Sequence, residues 1–381
     1  MRYLRYLLLL CCFYVPLLDA HAITQGFTTH LLFVSPAYAD DPFWRRVEEH
    51  MEYAAASMGF DLKVKYGNDS PLRVRELALK AMQESHKPDF LILQFNGPIM
   101  PELLQQGEEQ MVRIVTINAP ASDNDRARTG VPGEPFKKWI AHIWPDDRQA
   151  GFLEAKLLLD KAKARWPDQP LPSLLAFNGT RYEISHVAEN RGAGLQQALA
   201  AYPGSKLAQE FSRYWNVEKA TQPLLSTLTR YPDAHLLWAA SDDMALRLYQ
   251  RLEESGKDPH DFLLAGIDAT PEGLTAVTEG KLVGSIGGHF LEGAWAVVVI
   301  HDYLYARDND PHPLQLQTNM YAFTAQDIAR LRTFYEQGIF ARIDYHQFTL
   351  AAQQARGRES YDFSWPNLVE IAMEQDGGKS K

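Results

Sequence analysis

The chain has 381 residues, 46% of them hydrophobic and 23% charged, a balance that fills globular cores at a length that favours two domains over one. The net charge of −10 is spread over interspersed acidic and basic residues, without a Lys/Arg run or a basic stripe. That pattern excludes nucleic acid and anionic membrane surfaces as partners.

In chain order, "MRYLRYLLLLCCFYVPLLDAHA" comes first, with Arg2 and Arg5, an apolar stretch from Leu7 to Leu18, and Ala20-His21-Ala22 as a small-x-small site. It predicts a secretory signal over 1–22, cleaved after Ala22. Cys11 and Cys12, the two cysteines of the chain, lie inside it. The mature protein is then expected to contain no disulfide, thiolate nucleophile or Cys-ligated metal, and to reside in the periplasm with no membrane insertion.

Short apolar runs then alternate with longer amphipathic stretches. Residues 30–36, 60–67, 89–96, 112–120 and 139–145 read as strands, with helices at 43–58 and 71–86. "ASDNDRARTGVPGEPFKK" (121–138) reads as a polar loop without period. Further strands are predicted at 173–179, 207–215, 234–241, 262–268 and 281–288, and helices at 148–164, 189–201, 217–230, 243–255 and 290–306. From 320 a further segment carries a helix at 324–337 and ends in a polar tail. Near-continuous Val/Ile/Leu runs separated by helices predict parallel strands covered on both faces. Ten strands are too many for one compact doubly wound sheet of this length, so two α/β lobes are expected.

In such sheets ligands meet the carboxyl ends of strands. The residues there include Ser35, Gln94, Asn96, Asn118, Asp146, Asp147, Trp215, Ser241, Asp242, Asp268 and His289. Hydrogen-bonding side chains with an aromatic suit a polar, multi-hydroxyl or heterocyclic ligand, although each Asp or Ser is equally placed to cap a helix. No phosphate loop, H-E-x-x-H or G-x-S-x-G is present. The "GAG" at 192–194 has Gln197 where a third glycine would stand, and lies within a helical stretch, so a dinucleotide site is not expected. His30, His142, His235 and His289 are scattered, and Asp242-Asp243 opens a helix. No metal, cofactor or catalytic residue is expected.

Four ordered motifs, "DDPFWRRVEEHMEYAAASMGFDLKV", "AENRGAGLQQAL", "AASDDMALRLYQRLEESGK" and "AGIDATPEGLTAVTEGKLVGSIG", resemble the type I periplasmic solute-binding proteins of the ribose-binding group, and the ligand domains of LacI-type regulators. The resemblance runs from about 30 to 306. It implies two Rossmann-like lobes joined by three crossover strands near 144–147, 287–290 and 315–322; the stretches from about 320 exceed the usual family ending and read as a C-terminal helical extension on which the resemblance says little. The implied lobes are 27–145 with 289–318 and 146–288 with 319–345, leaving 346–381 as extension and tail. It implies that Phe43 and Trp44 stack on a sugar ring, that Asp41 and Ser35 stand beside them, and that Trp215, or else Tyr214, is the second-lobe aromatic. Asp268 matches the family's ligand carboxylate.

This sequence also departs from the family pattern. Asn118-Ala119 replaces an Asp-Arg pair, Glu189 replaces an arginine before Arg191, Ser241 replaces an Asn, and Gly288 replaces a Gln beside His289. Lost guanidinium and amide donors put a ribose-like ligand in doubt, with Trp144, Glu189, Arg191 and His289 as possible replacements. The expected function is capture of a small sugar-like solute by a monomer and delivery to an ABC permease. The competing reading is a ligand sensor that docks on the periplasmic domain of a histidine kinase or similar receptor. An enzyme on this fold is not expected.

Overall fold

The computed structural model describes residues 28–179, 186–212, 215–306 and 314–377. The predicted leader with its cysteines, Tyr214 and the last four residues lie outside these. The first lobe runs β1 (His30–Ser35), α1 (Pro42–Met58), β2 (Asp61–Tyr66), α2 (Pro71–Gln83), β3 (Phe90–Gln94), α3 (Met100–Gln110), β4 (Arg113–Ile117), α4 (Asp123–Thr129) and β5 (Trp139–Pro145). The chain then crosses to the second lobe for α5 (Asp147–Arg165), β6 (Ser173–Asn178), α6 (Val187–Ala201), β7 (Leu207–Ser212), α7 (Val217–Thr221) and α8 (Leu224–Arg230). That lobe continues with β8 (Ala234–Ala239), α9 (Asp242–Glu254), β9 (Leu263–Ile267), α10 (Pro271–Thr278) and β10 (Gly284–Gly287). A second crossing leads to α11 (Glu292–Tyr305) and β11 (Leu314–Thr318), and a third to β12 (Tyr321–Phe323), followed by α12 (Ala325–Glu336), α13 (Leu350–Ala355) and α14 (Trp365–Gly377).

The two six-stranded sheets have orders β11-β5-β4-β3-β1-β2 and β12-β10-β9-β8-β6-β7. Every pairing is parallel except β12 with β10. Strands β1, β3, β6, β8 and β9 are buried on both faces, which is why they read as unbroken apolar runs. The crossings are tied together. Asp146 N donates to the Thr318 carbonyl at 2.8 Å, Met320 N to Gln149 Oε1 at 2.7 Å, and Thr318 Oγ1 to Glu292 Oε1 at 2.7 Å.

Local elements differ from the sequence reading in several places, β11 and β12 adding two strands to the ten expected. The loop 121–138 contains α4, a short helix with no apolar face that rests on a capping box between Ser122 and Asp125. Helix α3 has no counterpart in the reading. The stretch 217–230 is two helices, because Pro223 lacks the N–H that a continuous helix would use. Within 319–345, β12 extends the second sheet, whereas Phe334 of α12 and Phe340 fill the core of the first lobe beside Val47 and Met51. Phe348, Phe363 and Trp365 continue that core, with Phe363 stacked on Trp295 of α11 at 4.7 Å.

Candidate ligand-binding cleft

A cavity of about 600 Å³ lies between the lobes at the carboxyl ends of both sheets. Asp41, Phe43, Trp44, Gln94, Asn96, Asn118, Arg191, Trp215, Ser241, Asp268 and His289 all line it. Trp144, Asp146, Asp147 and Asp242 do not line it, nor do Ser35 and Glu189. Ser35 is buried at the end of β1, its Oγ unpartnered, and Glu189 points its carboxylate to His186 Nδ1 at 2.7 Å on an exposed turn of α6. Asp69, Ser70, Asn216, Lys219, Asp243 and Thr270 also line the cavity. Asp69 and Ser70 follow β2, where the strand-end rule applies equally, whereas Asp243 reads in sequence only as a helix opener.

The first-lobe wall begins at the N-terminus of α1. Pro42 occupies the first turn and Asp41 caps it, its Oδ1 accepting from Trp44 N at 2.8 Å. This cap sets Phe43 and Trp44 edge to face, 5.2 Å apart, with Trp44 resting against Phe33 and Phe43 stacked on His289 at 4.5 Å. Trp44 is 9% exposed, so it serves core and cavity together, while Phe43 is half-buried. Burial raises the Asp41 carboxyl, against the pull of the cap bond. Gln94 Nε2 donates to Asn118 Oδ1 at 3.2 Å, and Asn96 Oδ1 is buried without a partner. Asn118, at the end of β4, holds a left-handed φ of 71°.

On the second-lobe wall, Arg191 is buried on α6. Its Nε donates to Asp147 Oδ1 at 2.8 Å and its Nη1 to the Ala240 carbonyl at 2.6 Å, with Nη1 also 3.6 Å from Asp268 Oδ1. Asp268 and Ala269 leave β9 with φ of 125° and 51°, a strained turn of the kind found at ligand sites. Beneath it Asp242 accepts from Thr270 N, Thr270 Oγ1 and Ser285 Oγ. Burial pushes Asp268 up to about 7 and Asp147 up to about 6 even with Arg191 beside them, and burial and the Asp268 charge push Asp242 up to about 8. Burial, Arg191 and Arg46 hold His289 well below the ordinary histidine range. His289 Nε2 lies 3.3 Å from Asp268 Oδ1, and with the imidazole held below its ordinary range this approach is not an ion pair. Trp215, 43% exposed, lies on the backbone of Gly179, where any Cβ would strike its ring, and Arg191 sits 5.7 Å from its centroid.

Flat aromatic faces beside carboxylates and amides can hold a hydroxylated ring. Among the described residues no group of His, Cys, Asp and Glu is arranged to hold a metal ion. Two parallel-sheet lobes, three crossings and a cavity between their strand ends define the type I periplasmic binding protein class.

The chain belongs to the periplasmic binding protein domain family, whose profile matches residues 32–308. It is 24% identical over 251 residues to the ribose import binding protein of Escherichia coli, covering 65% of this chain and 75% of that one. It is also 30% identical over 145 residues to a xylitol-binding protein of Mycolicibacterium smegmatis, which is 38% of this chain and 39% of that one. A periplasmic sugar-binding protein from Pseudomonas fluorescens superposes with a TM-score of 0.74 at 30% identity, over 90% of this chain and 99% of that one. A Caulobacter myo-inositol binding protein matches the fold with a TM-score of 0.64 at 16% identity, over 83% of this chain and 99% of that one.

Proposed function

We propose that the protein captures a sugar-like solute in the periplasm by closing its two lobes around it, and delivers it to an ABC importer. The observation that carries this reading is the aromatic and polar wall set: Phe43, Trp44 and Trp215 with Asp41, Gln94, Asn96, Asn118, Ser241 and Asp268, contributed by both lobes to one cavity. Rings from the two lobes cover flat sugar faces, and the carboxylates and amides take the hydroxyls. Because the contacts come from both lobes, ligand favours the closed arrangement by its differential affinity for it. Ribose import, xylitol and sugar-binding relatives support the solute class.

The test is a thermal-shift panel of sugars and polyols with the leaderless protein, since a ligand that binds only the folded state raises the midpoint. A shift lost in Trp44→Ala and in Asp268→Ala is the expected result. Full binding in both variants would remove the cleft as the site. Permease and ATPase genes beside its own would favour import, and kinase genes there would favour sensing.

A further inference from the structure

The charges around the cleft are one-sided. Four carboxylates line it, Asp41 and Asp69 from the first lobe and Asp243 and Asp268 from the second, against the cationic side chains of Arg191 and Lys219. Arg191 is turned to the protein itself, with Asp147, the Ala240 carbonyl and Asp268 around its guanidinium. Lys219 stands on an exposed turn of α7. An ionised carboxylate only accepts hydrogen bonds, and a neutral hydroxyl brings one hydrogen, whereas an ammonium brings three donors and a positive charge.

Two further features of the same walls point the same way. Asn96, only 6% exposed, leaves its Oδ1 buried and unpartnered on the cavity wall, one more acceptor without a donor. Phe43, Trp44 and Trp215 line the cavity, and aromatic rings attract cations as well as sugar rings. The carboxylates also repel one another across the cleft. The charge of Asp41 raises Asp243 and Asp268, after burial as the larger cause, and Asp69 raises Asp41 in the same way. Holding the lobes together over a neutral ligand leaves that repulsion in place.

We propose that the cleft takes a polyhydroxylated ligand that carries a cationic nitrogen, an amino sugar or aminocyclitol, with its ammonium between the carboxylates of the two lobes. The proposal rests on the reading of the cleft as the sugar-like ligand site, and narrows it. It also accounts for a site with few free guanidinium donors, because a ligand that supplies its own donors calls for acceptors on the wall.

Calorimetric titration of matched pairs tests it: D-glucosamine against D-glucose, D-galactosamine against D-galactose, and N-acetyl-D-glucosamine as the same nitrogen without its charge. At least one amine is expected to bind ten-fold or more tighter than its neutral parent and its acetylated form, to weaken with added salt, and to lose most of that ratio in Asp243→Asn. Circular dichroism melting of Asp243→Asn checks that the variant is folded. Neutral parents that bind as tightly as the amines overturn the cationic ligand and leave the sugar-like reading standing. No binding by any member, neutral or charged, overturns both.

Discussion

Phe43 and Trp44 are neighbours with unequal burdens. Trp44 is 9% exposed and packs on Phe33, so Trp44→Ala should cost about 2–4 kcal/mol of stability in addition to binding. Phe43 is half-buried and touches His289, so Phe43→Ala should weaken ligand at least ten-fold while lowering the urea midpoint little. Paired urea melts and titrations of the two variants check this. Equal stability losses would mean that both rings are core.

The strand-end rule reached Gln94, Asn96, Asn118, Trp215, Ser241, Asp268 and His289 of the cavity wall, where the family resemblance added Asp41, Phe43, Trp44 and Arg191. It missed Asp69, on a short turn after β2, and Asp243, whose role as helix opener hid its place on the wall. The positional match that suggested Glu189 could not foresee that His186 would hold it away.

The same residues make stability depend on pH. Asp242 and Asp268, facing Arg191, His289, Asp41 and Asp243, are raised to about 8 and about 7, so the folded state holds more protons than the unfolded chain above the ordinary carboxylate range. Their contribution therefore falls as pH rises through that window and levels off above it. His50, His142 and His289 work in the other direction. Burial holds all three below the ordinary value of 6.5, so stability falls as pH drops below that value and the unfolded chain takes up protons. The melting midpoint should therefore fall as pH rises from about 7 to 8, and Asp268→Asn should flatten that decline. A midpoint that stays level from neutral to alkaline pH would refute the shared burial of the pair.

At the scale of elements, strands announced themselves and short polar helices did not. Buried parallel strands need apolar side chains on both faces, a pattern visible in any window. Helix α4 has no such face and rests on Ser122, Asp125 and Arg128, so its stability lies in caps and charges that carry no period. The "GAG" of α6 finds a packing role instead: a Cβ at Gly194 would strike the Arg148 backbone of α5, and one at Gly151 of α5 would strike Arg191. That close contact between α5 and α6 seats Arg191 on the cleft.

Contacts between distant elements were invisible in sequence. Arg46 of α1 meets Tyr335 of α12, 289 residues away, through Nε at 3.0 Å and Nη2 at 2.9 Å, and its Nη1 donates to the Ala269 carbonyl in the second lobe. Its guanidinium also lies 4.1 Å over Phe290. With its lone pairs used by Arg46, the Tyr335 hydroxyl donates to neutral His50 Nε2 at 2.8 Å. Tyr335→Phe leaves Arg46 and His50 with fewer partners and should destabilise by about 1–3 kcal/mol in urea melts. A change below about 0.5 kcal/mol would show that water or another acceptor replaces the phenol.

For the whole molecule, the fold class and the crossing positions followed from sequence, while the role of the last sixty residues did not. They lie beyond the family match, yet Phe334, Phe340, Phe348 and Trp365 complete a core with Trp295. Their apolar spacing alone could not say which lobe would receive them.

The crossings themselves carry the last expectation. Thr318 binds two of them together, accepting from Asp146 N with its carbonyl and donating from Oγ1 to Glu292 Oε1, while Gln149 holds Met320. Glu292 is fully buried, its Oε2 is unpartnered, and burial raises its carboxyl above the ordinary range against the pull of the Thr318 hydroxyl. Thr318→Val keeps the shape and removes the hydroxyl, leaving the buried Glu292 Oε1 without that donor, at about 1–3 kcal/mol. Thr318 ends β11 just before the third crossing and Glu292 opens α11 just after the second, so the lost bond is expected to loosen the crossings even though the Asp146 N bond to the Thr318 carbonyl is kept. Small-angle scattering of the ligand-free variant should then show a wider spread of lobe separations than the parent, with ligand restoring a single compact form. An unchanged scattering profile alongside reduced stability would assign Thr318 to packing alone and place the hinge compliance elsewhere in the three crossings.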